Sequence, residues 1–116
     1  MGLSREEAQV CVGPGWASLI DRFYGHVEDN PRIYKDVNVL QVKEKFGTLR
    51  IYFSGGDAFL DGIECTLGWW SGTVCETCGA LGQINTWRGW DKTQCKDHWD
   101  GPMRWERTLL GSGFSV

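Results

Sequence analysis

Four residues in the C-terminal half have the spacing of metal ligands. Cys75 and Cys78 are separated by two residues, and Cys95 and His98 repeat this spacing after sixteen intervening residues. Two residues between ligands let both side chains reach one ion, and Gly79 eases the turn in which backbone amides point at sulfur. A set of three thiolates and one imidazole leaves no open coordination position. The pattern therefore predicts one structural zinc ion.

The other cysteines and the N-terminus indicate a reducing environment. The chain has five cysteines, an odd number that does not suit a disulfide framework. Its first residues are too acidic for a signal peptide, and no run approaches the roughly 18 apolar residues of a membrane span. A cytoplasmic protein without a membrane segment is expected. Cys11 and Cys65 are expected to be buried apolar side chains, with redox or additional ligand roles as alternatives.

The length of 116 residues suits one domain, and residues 1–74 predict a core of two helices and a hairpin. Ser4 and Glu7 have the spacing of a capping box for a short helix that ends near Cys11. The next helix ends before Pro31 and has an apolar stripe at helical spacing, which is expected to face the core. The stripe consists of Trp16, Leu19, Ile20, Phe23, Tyr24 and Val27.

Residues 37–53 are rich in β-branched and aromatic side chains and predict an antiparallel hairpin. If Phe46 and Gly47 form its two-residue turn, Gly47 requires a positive φ. The apolar face of this register consists of Leu40, Val42 and Glu44 opposite Phe53, Ile51 and Leu49. The cationic face consists of Lys43 opposite Arg50, with Lys45 and Tyr52 beside them.

Like charges opposite each other destabilise a strand pair, so Lys43 and Arg50 are expected to have a neutralising group nearby or to splay into water. Internal candidates are Asp36, Glu28 and Asp57. The alternative is an external acidic protein surface or a phosphate group. The backbone amides of Ser54-Gly55-Gly56 would add donors for a phosphate, although the carboxylate of Asp57 would compete for them.

Asp57 is a suitable N-cap for a second long helix that runs to about Trp70. Its buried face is expected to contain Phe59, Ile63, Leu67 and Trp70. Residues 75–107 are expected to form a zinc ribbon within the same compact unit, with a hairpin of residues 83–87 and 91–94, and residues 108–116 a flexible tail. The predicted fold class is α+β, in which an amphipathic helix, a β-hairpin and a second helix pack together before the zinc ribbon.

The distribution of charge disfavours a reader of duplex DNA. Residues 1–74 contain seven Lys/Arg and ten Asp/Glu, and residues 75–116 contain five of each, so the predicted zinc half has no excess of positive charge. Three thiolates and one zinc ion would add a further negative charge to that half. A protein that binds duplex DNA normally has a basic stripe on its reading domain.

Three stretches of the sequence resemble a family of small zinc-ribbon proteins from bacteriophages and prophages. They are Val42-Lys43-Glu44-Lys45-Phe46-Gly47 within residues 41–57, Cys75-x2-Cys78-Gly79, and Gly89-Trp90-x2-Thr93-x-Cys95-x2-His98. The similarity covers roughly residues 14–99. It implies a fold and a viral origin, but no activity, since most members are described as hypothetical proteins. The chain departs from the family pattern at Trp69-Trp70 and beyond Trp99.

The expected function is binding rather than catalysis. His26 and His98 are the only histidines, and no nucleophile, phosphate-loop or deaminase motif is present. A phage binding module would interfere with a host component, such as an antiviral defence protein, by occupying a protein or a small anionic ligand such as a signalling nucleotide. The alternative is a nucleic-acid-binding zinc ribbon. Candidate partner-binding residues are Lys43, Lys45, Arg50, Tyr52, Gly55, Gly56, Trp69 and Trp87.

The seven tryptophans are divided between core and surface by their positions. Trp16 and Trp70 fall on the predicted helix stripes and are expected to be buried. Exposed positions are expected for Trp69, Trp87, Trp99 and Trp105, where tryptophan would serve an interface. Trp87, Trp90 and Trp99 would stack on bases if the chain binds nucleic acid.

Overall fold

The order of helices and hairpins follows the sequence pattern in the computed structural model, which describes residues 2–102. The helical segments are α1 (Arg5–Gln9), a 3-10 turn (Pro14–Trp16), α2 (Ala17–Asp29) and α3 (Ala58–Ser71). The strands are β1 (Asn38–Lys45), β2 (Thr48–Ser54), β3 (Gln83–Trp87) and β4 (Trp90–Gln94), and they form two separate antiparallel hairpins. The predicted α+β fold class is confirmed. The expected tail at 108–116 and Trp105 lie outside the described residues.

Two local signals fix the N-terminal helices. The Ser4 hydroxyl accepts a hydrogen bond from Glu7 N, and the Glu7 carboxylate accepts one from Ser4 N, so the predicted capping box is present. The stripe of α2 buries Leu19, Ile20, Phe23 and Tyr24 as predicted.

No helix among residues 2–102 combines the length and apolar character that crossing a membrane requires.

The core lies between α2, α3 and the first hairpin. Residues from all of these elements are buried together, including Phe23, Val42, Leu49, Ile51 and Leu60. The aromatic rings of Phe23 and Phe53 lie with centroids 5.2 Å apart. Burying one such side chain stabilises the fold by roughly 1.5–3 kcal/mol, so this cluster is the main source of stability for residues 2–74.

The register of the first hairpin is confirmed near its turn and wrong near its open end. Val42 pairs with Ile51 and Lys43 with Arg50, as predicted. A bulge between Val39 and Gln41 shifts the pairing of the residues beyond it by one position. Val39 therefore lies opposite Phe53, and Leu40 is 59% exposed instead of facing the core. Strand alternation cannot reveal an inserted residue.

The turn of this hairpin has the predicted conformation. Gly47 has φ +83° and Phe46 has φ +54°, so both turn residues are left-handed. This is the geometry of a type I′ turn, whose twist matches that of the strands it joins.

Replacing Gly47 with valine is expected to destabilise the protein by more than about 1 kcal/mol, because a β-branched residue is strained at positive φ. A Cβ at this position lies 3.4 Å from Ile84 Cγ2, an ordinary contact, so backbone strain accounts for the loss. The melting temperature measures the effect. Lys45→Val, at an exposed strand position, is the control and should change stability little. An unchanged melting temperature for the Gly47 variant would contradict the assignment of the turn.

The buried face of α3 agrees with the prediction only in part. Leu67 is buried and Ile63 packs against the core as predicted, whereas Phe59 is 66% and Trp70 39% exposed, and Leu60 and Ser71 are buried instead. The cause is hydrogen bonding to the free edge of β2. Leu49 N donates to Ser71 Oγ (2.8 Å) and Ile51 N donates to Glu64 Oε2 (3.2 Å). Because unpaired strand amides need acceptors, α3 presents its polar side chains to β2 and turns its aromatic residues outward.

Candidate metal centre

Two tight turns position the four predicted ligands. In the first, Gly79 N donates to Cys75 O (2.8 Å), and Gly79 has φ +85°, which lets the chain reverse directly after Cys78. In the second, His98 N donates to Cys95 O (3.2 Å), which brings His98 back over the cysteine. The second turn follows β4 directly. Both turns are local, so the ligand spacing in the sequence is sufficient to predict them.

The ligand atoms of Cys75, Cys78, Cys95 and His98 all lie within 4.8 Å of one another. Cys78 Sγ and Cys95 Sγ are 3.7 Å apart, and His98 Nδ1 is 3.1 Å from Cys95 Sγ. The distance from His98 Nδ1 to Cys75 Sγ is 3.7 Å. Tetrahedral coordination with metal–sulfur bonds of about 2.3 Å places two sulfurs about 3.8 Å apart. The group can therefore hold one four-coordinate metal ion, with Nδ1 as the imidazole ligand.

The electrostatics of the site favour a cation. Burial raises the pKa of the Cys75 thiol, but hydrogen bonds from nearby backbone amides, chiefly that of Cys95, outweigh it and lower the pKa to about 6. The backbone amide of Ala80 lowers the pKa of Cys78, whereas desolvation and the neighbouring thiols raise it above its ordinary value. One thiolate forms readily, and a second beside it requires a positive charge.

Gln94 belongs to this site, although the sequence pattern did not predict it. Its side chain is almost fully buried, and its Oε1 accepts hydrogen bonds from Cys75 Sγ (3.1 Å) and Thr77 Oγ1 (3.0 Å). A metal-bound thiolate can only accept, so the Gln94 amide nitrogen must then face Cys75. Such outer partners orient metal ligands. The only sequence feature that indicates a role for Gln94 at the metal site is its position directly before Cys95.

The metal segment is fastened to the N-terminal half by several hydrogen bonds. Gly15 N donates to Glu76 O (2.7 Å), and Gly13 N donates to the Glu76 carboxylate (3.0 Å). Trp16 is fully buried, and its Nε1 donates to Val74 O (2.8 Å). These contacts place the first pair of ligands directly against the start of α2.

Comparisons with protein-family models, curated proteins and solved structures give no match to this chain. The resemblance to phage zinc-ribbon proteins therefore stays a prediction.

The structure places Lys43 opposite Arg50, as the sequence predicted. Lys43 Nζ lies 5.5 Å from the centre of the Tyr52 ring, and Arg50 Nε donates to Thr48 Oγ1 (3.1 Å). Within residues 2–102, the only ion pairs are those of Arg5 with Asp21 and Glu28, so Lys43, Lys45 and Arg50 have no carboxylate partner there. The positive charge of this strand face is thus not neutralised by the described residues.

The predicted internal partners of that face bind elsewhere. Glu28 pairs with Arg5, and Asp36 accepts a hydrogen bond from Gly56 N (3.3 Å). Asp57 caps α3 by accepting from Leu60 N (2.9 Å), and it also accepts from the Tyr34 hydroxyl (3.0 Å). Carboxylates therefore already surround the loop at Gly55 and Gly56, and a phosphate there would meet negative charge.

Four tryptophans among residues 2–102 are strongly or partly exposed, and one expected to be exposed is buried. Trp69 is 82%, Trp90 70%, and Trp70 and Trp87 are each 39% exposed, whereas Trp99 is only 8% exposed. Trp99 is covered because the chain turns back over it, and its Nε1 donates to Pro102 O (2.9 Å). A slot of about 350 Å³ opens beside Trp87, Trp90 and Trp99. Its lining consists of Trp87, Arg88, Trp90, Lys92, Trp99 and Asp100.

The prediction that Cys11 and Cys65 are buried is wrong, since both thiols are exposed. Cys65 lies on α3. The buried face of this helix contains Leu60 and Leu67, and Cys65 lies outside that face, where it is exposed to solvent. Cys11 follows α1, and its Sγ donates to Glu7 O (3.2 Å). Neither thiol joins the metal-ligand group formed by the described residues.

Proposed function

We propose that the metal ion is zinc, that its role is structural, and that the chain is a non-catalytic binding module. Three thiolates and one imidazole are typical ligands of structural zinc. With four protein ligands, zinc has no position left for a substrate or an activated water. This supports binding rather than catalysis as the activity of the chain.

The partner surface in this proposal is the cationic face of the first hairpin, formed by Lys43, Lys45, Arg50 and Tyr52. The observation that carries it is the pairing of Lys43 with Arg50 without a carboxylate partner among residues 2–102. Two like charges held side by side across strands cost stability unless an opposite charge meets them. An acidic surface on a host protein would supply that charge. Given the resemblance to phage proteins, the encounter would take place in the host cytoplasm.

The double variant Lys43→Ala, Arg50→Ala is expected to keep its fold and to lose at least tenfold in partner affinity, which corresponds to about 1.4 kcal/mol. The matched control is Arg32→Ala with Lys35→Ala, which removes the same charge from two exposed positions outside the hairpin. Immobilised wild-type protein is used to isolate the partner from a bacterial lysate. Affinities of the three purified proteins are then measured by titration at two salt concentrations.

A tenfold loss in the hairpin variant, with the control unchanged, supports the proposal. Equal losses in both variants would indicate a general charge effect and contradict it. Native mass spectrometry of the purified protein shows whether a small anionic ligand is retained. Such a ligand would meet the carboxylates of Asp36 and Asp57 at the Gly55–Gly56 loop, so the hairpin face is the better location.

Nucleic-acid binding is the second candidate, and the tryptophan-lined slot favours it. Trp87 and Trp90 are exposed beside Arg88 and Lys92, and exposed aromatic rings next to cations are typical of single-strand binding. The negative net charge of −3 weighs against it. Filter binding of a single-stranded oligonucleotide discriminates the two, because contacts to phosphates produce a steep dependence of affinity on salt.

A further inference from the structure

The charged residues of α2 are divided between two sides of the helix. On one side, Arg5 pairs with both Asp21 and Glu28, which are seven residues apart. On another side, Arg22 and Asp29 are also seven residues apart, and neither has an ion-pair partner among residues 2–102. Seven residues are two helical turns, so Arg22 and Asp29 lie on one face about 10 Å apart.

Arg22 and Asp29 line an open cleft of about 830 Å³ between α2 and α3. The Arg22 guanidinium lies over the Trp70 ring at 5.0 Å, and the rings of His26 and Phe59 are 5.3 Å apart. From the first contact to the second, the residue number rises from 22 to 26 along α2 and falls from 70 to 59 along α3. The two helices therefore run antiparallel. Phe59 and Trp70 are the aromatic residues of α3 that line this cleft, and both are turned away from the core. The cleft is therefore bounded by partly exposed aromatic rings at both ends.

Each helix contributes one glycine to the lining of the cleft. Gly25 on α2 and Gly62 on α3 both line it, and a Cβ at either position would meet no atom within 4 Å. Glycine is the weakest helix former apart from proline, and no contact among residues 2–102 requires it at these positions. The missing side chains at Gly25 and Gly62 leave room at these two positions for another backbone to approach α2 and α3 closely.

We propose that this cleft binds a second copy of the chain, with the two α2 helices packed antiparallel around a twofold axis. The point midway between Arg22 and Asp29 lies between Gly25 and His26. An axis there sets Arg22 of each copy against Asp29 of the other and brings the two Gly25 residues together. A twofold interface needs a surface that is its own complement, and opposite charges placed symmetrically about a small residue meet this condition.

The same arrangement covers the aromatic residues at the ends of the cleft. Phe59 and Trp70 of one copy would pack on the helices of the other and lose their contact with water. Exposed aromatic side chains that gather around one cleft are typical of an interface. A helix from a different protein would have to supply the matching charges in its own sequence, whereas a second copy already has them.

The test is the oligomeric state of the zinc-loaded protein of 116 residues, measured by sedimentation velocity over a range of concentrations. Wild-type protein is expected to dimerise. Arg22→Glu and Asp29→Arg alone should each weaken the dimer at least tenfold, because like charges then face each other. The combined variant Arg22→Glu, Asp29→Arg should restore the dimer to within about threefold of the wild type, because the charges are complementary again. Arg32→Glu, at an exposed position outside the cleft, is the matched control.

Gly25→Leu provides a second test that does not depend on charge. Its Cβ meets no neighbouring atom in one copy, so the variant is expected to fold and to lose the dimer. Circular dichroism confirms the fold of each variant. A wild-type protein that stays monomeric at about 1 mM overturns the proposal and leaves the cleft to a helix of another protein. A charge-swapped double variant that stays as weak as the single variants also overturns it.

Discussion

Replacing Cys78 or Cys95 with serine is expected to unfold the segment from about residue 73 to residue 100. Zinc binding to a small structural site contributes on the order of 10 kcal/mol, which is comparable to the entire stability of a typical domain. The two short strands of the ribbon cannot replace it, because an isolated two-stranded hairpin is marginally stable in water.

Metal analysis, far-ultraviolet circular dichroism and tryptophan fluorescence measure this effect. Trp87, Trp90 and Trp99 all lie in the ribbon, so their emission reports its unfolding. Cys65→Ser is the matched control: its thiol is exposed and lies outside the ligand group, so the variant should retain one zinc ion per chain and its full stability. A wild-type protein with no stoichiometric zinc and a folded ribbon would refute the assignment.

The loss of stability that follows removal of the metal is expected to extend beyond the ribbon. The Trp16 indole donates to Val74 O, and the Thr93 hydroxyl donates to Gly47 O in the turn of the first hairpin. Both donors are fully buried, so unfolding of the ribbon exposes polar groups and apolar surface in the N-terminal half. A chelator should therefore lower the melting temperature of the helical core as well.

Replacing Gly15 with alanine is expected to destabilise the protein by about 3 kcal/mol or more. An added Cβ would lie 2.0 Å from Cys75 O and 2.5 Å from Gly79 N. Both are backbone atoms of the turn that holds the first pair of metal ligands, so neither can rotate away as a side chain would. The chain must either pull the N-terminal segment off the turn or distort the turn, and both lose buried contacts.

Chemical denaturation gives the loss of stability, and competition with a chelator gives the zinc affinity. Both should fall in Gly15→Ala, because the strain acts on the ligand turn. Pro14→Ala alters the adjacent, exposed position and should cost no more than about 1 kcal/mol, chiefly through the entropy of the unfolded chain. If the two variants were equally stable, the close packing of Gly15 on the metal turn would be wrong.

The sequence by itself determined the features that depend on local spacing. The four metal ligands are predicted from two short motifs, and each motif folds as a turn that brings its own pair together. The stripe of α2 follows from helical periodicity, and the left-handed turn at Gly47 follows from the twist of a two-residue hairpin. The pairing of Lys43 with Arg50 follows from the position of that turn, because residues at equal distances from the turn along the two strands lie opposite each other.

Only the tertiary structure decided the features that depend on partners distant in the sequence. The bulge that exposes Leu40 accompanies a hydrogen bond from Leu3 N to Val39 O, which no pattern inside the strand reveals. The rotation of α3 follows from the need of β2 amides for Glu64 and Ser71 as acceptors, and it decides that Phe59 and Trp70 face solvent. Periodicity describes one element at a time, whereas unpaired amides and close backbone contacts are satisfied between elements. The final arrangement of surface and core therefore depends on how the elements pack.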